Sequence, residues 1–430
     1  MTATADAVVV GAGVIGCGIA LELARRGLRV VVLDRNPGPG LGSTSASSAI
    51  VRFTYSTWAG VAMAWEARQR WACWEEYLEY RDPGGLARFV RCGMVALDDE
   101  QTPWQRLTRL FDRAGIPYER WDGAQLGSFL PGIDTGRYYP PKPVHSEEFY
   151  AEAQGDLGAW YTADAGYVSD PQRAAANLAA AAAQRGADLR YRTTVRALAR
   201  RGGTWTLDTS AGPVQAPVVV NAAGPWSGAL NRLAGADADF SVQVRPMRQE
   251  VHRMPAPPGL AERLPFVGDL DLGIYLRPEV GGGILVGGTE PACDPLEWLD
   301  DPDQADPRPS LARFESQVLR AARRFPELPV PRRPRGVAGV YDVSSDWIPI
   351  YDRTGLDGYY VAIGTSGNQF KNAPVVGELM AALVLAVEEG HDHDRNPLAF
   401  TCSGTGAVLD VGTFSRRRVR NPDSSGTVMG

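Results

Sequence analysis

The chain has 430 residues, of which 44% are hydrophobic and 22% charged, and a formal net charge of −6. At roughly 150 residues per domain this length allows two to three domains with a large buried core, and the composition excludes wholesale disorder, collagen and coiled coil. Basic residues are scattered except for Arg416, Arg417, Arg418 and Arg420, which excludes a nucleic-acid footprint and favours a small-molecule partner.

Cys17, Cys73, Cys92, Cys293 and Cys402 are odd in number and widely spaced, arguing against a disulfide framework and a zinc site. A reducing, cytoplasmic setting is expected. Residues 1–6 lack a basic segment and the following apolar run ends at Gly11, so no signal peptide or anchor is expected. The longest later apolar stretch, 375–387, contains Glu378 and falls short of the roughly 20 residues of a membrane-spanning helix, so no membrane insertion is expected. Lysine is rare: Lys142 and Lys371 are the only two, leaving 42 of the 44 basic residues as arginine.

In chain order, residues 5–10 read as a buried strand, GAGVIG (11–16) as a glycine turn, the next stretch as a helix ending near Arg26 and Gly27, and 29–33 as a second strand ending at Asp34. This spacing is that of a dinucleotide-binding βαβ unit. Gly11 permits the tight turn, Gly13 lets a pyrophosphate approach the backbone, and Gly16 lets helix and strand pack closely; the helix N-terminus offers N–H groups to phosphate and Asp34 accepts from a ribose hydroxyl. Between 58 and 80, Ala64, Ala67, Trp71, Trp74 and Leu78 mark one buried face of a helix. Asp170, Pro171 and Gly186 bracket an alanine-rich helix. Strands are predicted at 188–191, 205–209 and 217–221, the last running into NAAGPWS, whose small residues admit a ligand to the backbone. Residues 240–290 read as antiparallel strands, 291–309 as a Pro- and Asp-rich loop, and 311–325 as a helix with Leu311, Phe314, Val318 and Phe325 on one face. A strand at 359–363, a glycine loop at 364–367 and a helix at 373–388 follow, and the tail after Phe400 reads as an irregular extension.

Five blocks appear in order: GSTSASSAIVRFTYS (42–56), YVSDPQRAAANLAAAAAQRGADL (167–189), VVNAAGPWS (219–227), GVYDVSSDWIPI (339–350) and GYYVAIGTSGNQFKNAPVVGELMA (358–381). Together they resemble the FAD-dependent D-amino acid oxidase superfamily, in particular its sarcosine oxidase and dimethylglycine dehydrogenase-like branch. The resemblance implies an α/β fold: a discontinuous Rossmann-type FAD domain (1–85, 145–229 and 331–400), an inserted α+β substrate domain built on an antiparallel sheet (86–144 and 230–330), and a C-terminal extension (401–430). It implies an enzyme that oxidises the C–N bond of a small secondary, tertiary or cyclic amino acid, with dioxygen or another electron acceptor; a primary amine oxidase of the glycine oxidase kind, a biosynthetic tailoring oxidase and a flavin binder without turnover stay open.

By the same resemblance Arg52 grips the substrate carboxylate with Lys371 as its partner, and Tyr341 and Tyr275 belong to the active site. A guanidinium fork binds a carboxylate bidentately and a lysine adds a second charge, although an arginine in so arginine-rich a chain also suits an ordinary ion pair. The FAD contacts implied are Gly11, Gly13, Gly16, Asp34, Arg35, Ser43, Thr44, Ser48, Val195, Ala223, Gly224, Gly364, Gly367, Asn368, Gln369 and Phe370. Relatives that attach flavin covalently use a cysteine where Gly339 stands or a histidine near Ala46, so noncovalent FAD is expected. The oxidase lysine and a nearby histidine of the family are replaced by Leu285 and Thr289, leaving the acceptor open. No metal is required, and His145, His252, His391 and His393 lack triad or ligand spacing.

Overall fold

The computed structural model describes residues 3–100, 104–236 and 238–430. Its first layer is a six-stranded sheet in the order Asp188–Arg190, Val30–Leu33, Ala7–Val10, Val218–Asn221, Tyr359–Ile363, Ile350–Arg353. The first five strands run parallel and the last antiparallel. Runs such as AVVV and YYVAI are buried along their whole length, as a parallel sheet covered on both faces requires. One face carries the helices Val14–Arg25, Pro171–Gln184 and Ala373–Glu388; the other is covered by a four-stranded sheet whose Trp205, Leu207 and Val214 pack on Val8, Val31 and Val219.

Two glycines set the first and last of these helices against each other. A Cβ on Gly377 would lie 2.5 Å from the Gly18 carbonyl oxygen, and one on Gly18 would lie 2.7 Å from that of Ala373. This backbone contact fixes the start of Ala373–Glu388, and with it the turn Phe370–Asn372, beside the N-terminal βαβ unit. The alanine-rich helix forms as expected: Asp170 caps it by accepting from the Arg173 N–H at 2.8 Å, and Pro171 occupies its first turn.

The second layer is a nine-stranded sheet in the order Glu297–Trp298, Val244–Pro255, Gly283–Gly288, Ile274–Pro278, Phe266–Asp269, Met94–Leu97, Ala159–Thr162, Glu119–Trp121, with Gly336–Ser344 also paired to Val244–Pro255. It is antiparallel save for one parallel contact, Phe266–Asp269 with Met94–Leu97. The helix Leu311–Arg324 packs on it through Phe314 and Val318.

Several expectations need correction. The helix from Trp58 stops at Ala72 and restarts at Trp74, with Cys73 at φ −118 and ψ 52 between them; the apolar face survives because the Trp71 and Trp74 rings stack at 4.2 Å. A strand at Val195–Arg201 was not anticipated because its side chains are largely exposed and polar. Its signal is the following Gly202–Gly203 pair, both at positive φ, which closes a two-residue hairpin. Strands Ala159–Thr162 and Gly336–Ser344, placed by the sequence in the FAD segments, pair in the large sheet. Leu311 is 58% exposed rather than buried, since it sits in the first turn of its helix. Helical residues Phe370–Glu388 number 19 and are long and apolar enough to cross a membrane, against the shorter reading, but 72% of that stretch is buried inside the protein. The tail is not merely irregular: Ala399–Thr401 and Val408–Asp410 form a hairpin, buried Arg416 is ion-paired with Asp239, Asp352 and Asp394, and Arg418 pairs with Asp346 at 2.8 Å.

Candidate active site

The C-terminal ends of the parallel strands open onto a groove of about 570 Å³. Gly11 stands at φ +110, and a Cβ on it would lie 2.3 Å from the Ala222 carbonyl oxygen; one on Gly16 would lie 1.9 Å from that of Gly11. The turn therefore admits no side chain, and the backbone itself forms the floor. Gly13 and Thr44 meet across the groove mouth, where the Thr44 hydroxyl accepts the Val14 N–H at 3.1 Å. Asp34 accepts from the N–H groups of Ala12 and Asn36, each at 2.7 Å, which fixes the carboxylate at the groove edge. Its remaining lone pairs are the acceptors available to a ribose hydroxyl.

Arg35, Ser43, Val195, Ala223, Gly224, Gly367, Gln369 and Phe370 also line this groove. The glycine-floored cradle, helix N-terminus and terminal acid fit the dinucleotide half of FAD, and the volume lies within the roughly 300–1,000 Å³ of cofactor-sized sites. Four of the expected FAD contacts, Gly16, Ser48, Gly364 and Asn368, do not line this groove. Ser48 faces a second, smaller cavity, its hydroxyl 2.8 Å from that of Tyr275. Asn368 lines that same cavity. Gly364 lines neither; its φ of +66 turns the chain against Ser344 and Val244. Gly16 acts through packing alone. Within the glycine loop the N–H groups of Thr365 and Ser366 bond to Asp342 and that of Asn368 to the Thr365 carbonyl, while Gly367 and Gln369 line the groove.

The second cavity adjoins the groove through Ser47, Tyr341, Gly367 and Phe370, which line both. Arg52, Lys371, Tyr275 and Tyr341 all meet there. These residues come from four separate stretches of chain, and the structure brings all four predicted side chains together. Lys371 donates to the Tyr55 hydroxyl at 2.7 Å and to the Asn368 carbonyl at 2.6 Å. Burial, and then the neighbouring Arg52 charge, hold its ammonium well below the usual lysine range. Burial also lowers Arg52. Tyr275 is pushed up to about 12 by burial, and Tyr341 rises well above its ordinary value for the same reason, so both keep their hydroxyl protons. Arg52 and Lys371 side by side, with the Glu290 carboxyl as the acidic neighbour of Arg52, favour an anion in this cavity.

Sequence reasoning missed six residues of the site. Tyr55 lies three residues after Arg52 and orients Lys371. Trp226 and Asp303 wall the outer groove with Arg35: the Arg35 guanidinium lies 4.3 Å over the Trp226 ring and donates to Asp303 at 2.8 Å, and the indole N–H donates to Asp303 at 2.9 Å. Val428 and Met429 line the cavity, and Glu290, following the strand Gly283–Gly288, stands behind them and accepts the Val428 N–H. For Tyr55 the RFTY spacing held a signal; for the tail none existed. Gly339 and Ala46 face each other, since a Cβ on Gly339 would lie 2.7 Å from that of Ala46, so the two positions at which the resemblance placed a flavin-linking side chain lie together. Leu285 and Thr289 line neither cavity. The histidines lie apart: His252 is buried beside Glu250 and Gln317, His393 lies 3.5 Å from Asp352, and exposed His145 lies 3.2 Å from Glu315.

A sequence profile of the family described as "DAO: FAD dependent oxidoreductase" matches residues 6–383. The chain belongs to this family. It is 29% identical over 395 residues to the glycine oxidase of Geobacillus kaustophilus, covering 91% of this chain and 96% of that one. It is 26% identical to the mitochondrial dimethylglycine dehydrogenase of Mus musculus over 66% of this chain and 30% of that one. Among solved structures, the G. kaustophilus glycine oxidase superimposes with TM-score 0.73 at 26% identity, covering 97% and 100% of the two chains. The L-proline dehydrogenase of P. horikoshii shares the fold with TM-score 0.75 at 22% identity, covering 97% and 98%. The DAO-family chain is thus an FAD-dependent oxidoreductase.

Proposed function

We propose that this DAO-family enzyme oxidises the C–N bond of a small secondary, tertiary or cyclic amino acid, the sarcosine-like class. The observation that carries the reading is the cavity holding both Arg52 and Lys371 beside the groove. A buried guanidinium and ammonium together pin one carboxylate, and the walls shared through Tyr341, Gly367 and Phe370 put the atoms attached to that carboxylate next to the isoalloxazine end of the groove.

Bound FAD supplies the hydride acceptor. The protein supplies position and field. The substrate nitrogen must hold a lone pair to stabilise the forming iminium, yet a free amine has a pKa near that of lysine, about 10.4. Arg52 and Lys371 bind the carboxylate while their charge favours the neutral amine. The arriving carboxylate in turn favours the protonated form of Lys371, which Tyr55 and Asn368 are already placed to hold. The turn Phe370–Asn372 and the helix Ala373–Glu388 direct their N-terminal dipole end at the groove, favouring negative charge there. Water then hydrolyses the imine.

Noncovalent FAD belongs to the same reading. Acid precipitation is expected to leave all the flavin in the supernatant, and yellow pellet would contradict it. The reaction is tested by anaerobic bleaching of the yellow protein with sarcosine, dimethylglycine, proline, pipecolate, glycine and D-alanine. Bleaching by a secondary amine is expected; colour returning rapidly in air makes it an oxidase, slow return a dehydrogenase. A second reading, oxidation of a primary amino acid, draws on the glycine oxidase relatives, which the chain matches over nearly their whole length. It requires bleaching by glycine with release of ammonia.

A further inference from the structure

The segment 421–430 runs from the surface into the substrate cavity. Asn421 donates to the Ser56 hydroxyl at 3.0 Å and Asp423 pairs with Arg106 at 2.7 Å. Beyond these anchors the chain turns inward until Val428 and Met429 are 7% and 8% exposed. The Met429 carbonyl accepts from Arg52 Nη1 at 2.8 Å and the Val428 carbonyl from Arg52 Nη2 at 2.5 Å. On the other side of the same residue, the Val428 N–H donates to Glu290 Oε2 at 2.8 Å. One residue's N–Cα–C=O unit thus spans from a carboxylate to the guanidinium that the resemblance assigns to substrate.

Glu290 is built for a ligand nitrogen. Its other oxygen accepts from Gln249 Nε2 at 2.8 Å, which fixes the carboxylate plane. Its backbone stands at φ 53, a conformation rare for a glutamate and concentrated at functional sites. The charged and titratable groups around it are Arg52, Arg313 and Asp294, with Tyr275 and Tyr341 on the cavity side. Burial pushes its carboxyl up to about 8, which a cationic or N–H-bearing neighbour relieves.

We propose that Glu290 is the amine-binding residue of this site, and that Val428, held between Glu290 and Arg52 by its own N–H and C=O, is an internal stand-in for a secondary α-amino acid. The inference rests on the amine-oxidising reading above and narrows it. The Val428 amide nitrogen carries two carbons and one hydrogen, as does a neutral secondary amine. A neutral tertiary amine has no hydrogen to give Glu290 and a primary amine lacks the second nitrogen-bound carbon that Val428 carries, so secondary amino acids, cyclic ones among them, are the class this geometry fits. Substrate must displace the segment, which therefore raises the apparent KM of the intact chain.

The test uses two ligands that cannot be dehydrogenated, pyrrole-2-carboxylate and furan-2-carboxylate, which differ by an N–H in place of a ring oxygen. Calorimetry on the FAD-loaded full chain is compared with Val428→Pro, which removes the donated N–H at constant length; deletion of residues 427–430 is the second variant. Both are expected to tighten pyrrole-2-carboxylate by about 10-fold or more, and an acetylated Ser-Gly-Thr-Val-Met-Gly peptide is expected to compete with it in the deletion variant. In that variant pyrrole-2-carboxylate is expected to bind about 10-fold more tightly than furan-2-carboxylate. Glu290→Leu, or Glu290→Gln where leucine does not fold, should abolish or sharply reduce that advantage while furan-2-carboxylate affinity stays constant. Unchanged affinity on loss of the segment, or equal weakening of both ligands by the Glu290 variants, overturns the proposal. Because neither ligand turns over, intact discrimination with no amine bleaching the flavin would overturn the proposed reaction alone.

Discussion

The two ends of the active site are made in opposite ways. The floor of the dinucleotide end lies in a single stretch of 24 residues from Gly11 to Asp34, its surface mostly backbone, and its geometry follows from residues that lack a side chain. The substrate end is assembled from side chains around Arg52, Tyr275, Glu290, Tyr341 and Lys371 and closed by Val428 and Met429. A local motif fixes its own shape, so one substitution within it should destroy the site outright; a long-range assembly should lose function piece by piece.

The largest effect is accordingly expected from Gly16→Val. A Cβ at this position meets the Gly11 carbonyl at 1.9 Å, and relief requires the turn or the helix to move. Overpacking of this kind costs about 3 kcal/mol, about 100-fold in affinity, so the purified variant should lack the 450 nm flavin band. Retention of full flavin content would show that the turn is not the cofactor's floor. At the other end, Lys371→Met should keep its flavin and raise substrate KM by roughly 2 kcal/mol or more, about 30-fold, as expected for a buried charged contact. An unchanged KM would remove Lys371 from the carboxylate clamp.

This contrast also explains what the sequence disclosed. The βαβ unit, the capped helix at Asp170 and the strand Tyr359–Ile363 were legible because periodicity, capping and glycine placement are local signals. Arg52, Lys371, Tyr341 and Tyr275 were reached through motif resemblance and converge on one cavity. Ser48 and Asn368 line the smaller cavity rather than the groove, which the sequence could not show, because a residue's neighbours in sequence do not say which side of a shared wall it faces. Glu290 and Val428 were invisible, since they meet across a sequence separation of 138 residues.

A smaller effect distinguishes the two ends by pH. The Glu290 carboxyl titrates at about 8 in the folded chain against 4.5 ordinarily, so between these values the folded state binds the extra proton. Its contribution to stability is complete below about pH 4.5 and is lost as pH rises through about 8. Thermal melts should therefore show the wild type equal to Glu290→Gln near pH 4.5 and a few degrees less stable above pH 8. A gap that does not change with pH would mean that the carboxyl titrates in its ordinary range.

The smallest effect should come from the outer wall of the cofactor groove, which resembles the substrate end in being made of side chains but differs in its exposure to water. Arg35 stacks on Trp226 and pairs with Asp303, and the two charged side chains are 39% and 50% exposed. Water and salt screen such a pair to about 0–1 kcal/mol, and the floor beneath, formed by the Gly11 turn and Asp34, does not depend on it. Arg35→Ala should weaken FAD binding by less than about 5-fold, with the loss shrinking further as salt is raised. A loss approaching that of Gly16→Val would mean that the wall, and not the backbone floor, carries the cofactor, and the contrast between a motif-made and an assembled end would fail at its stronger side.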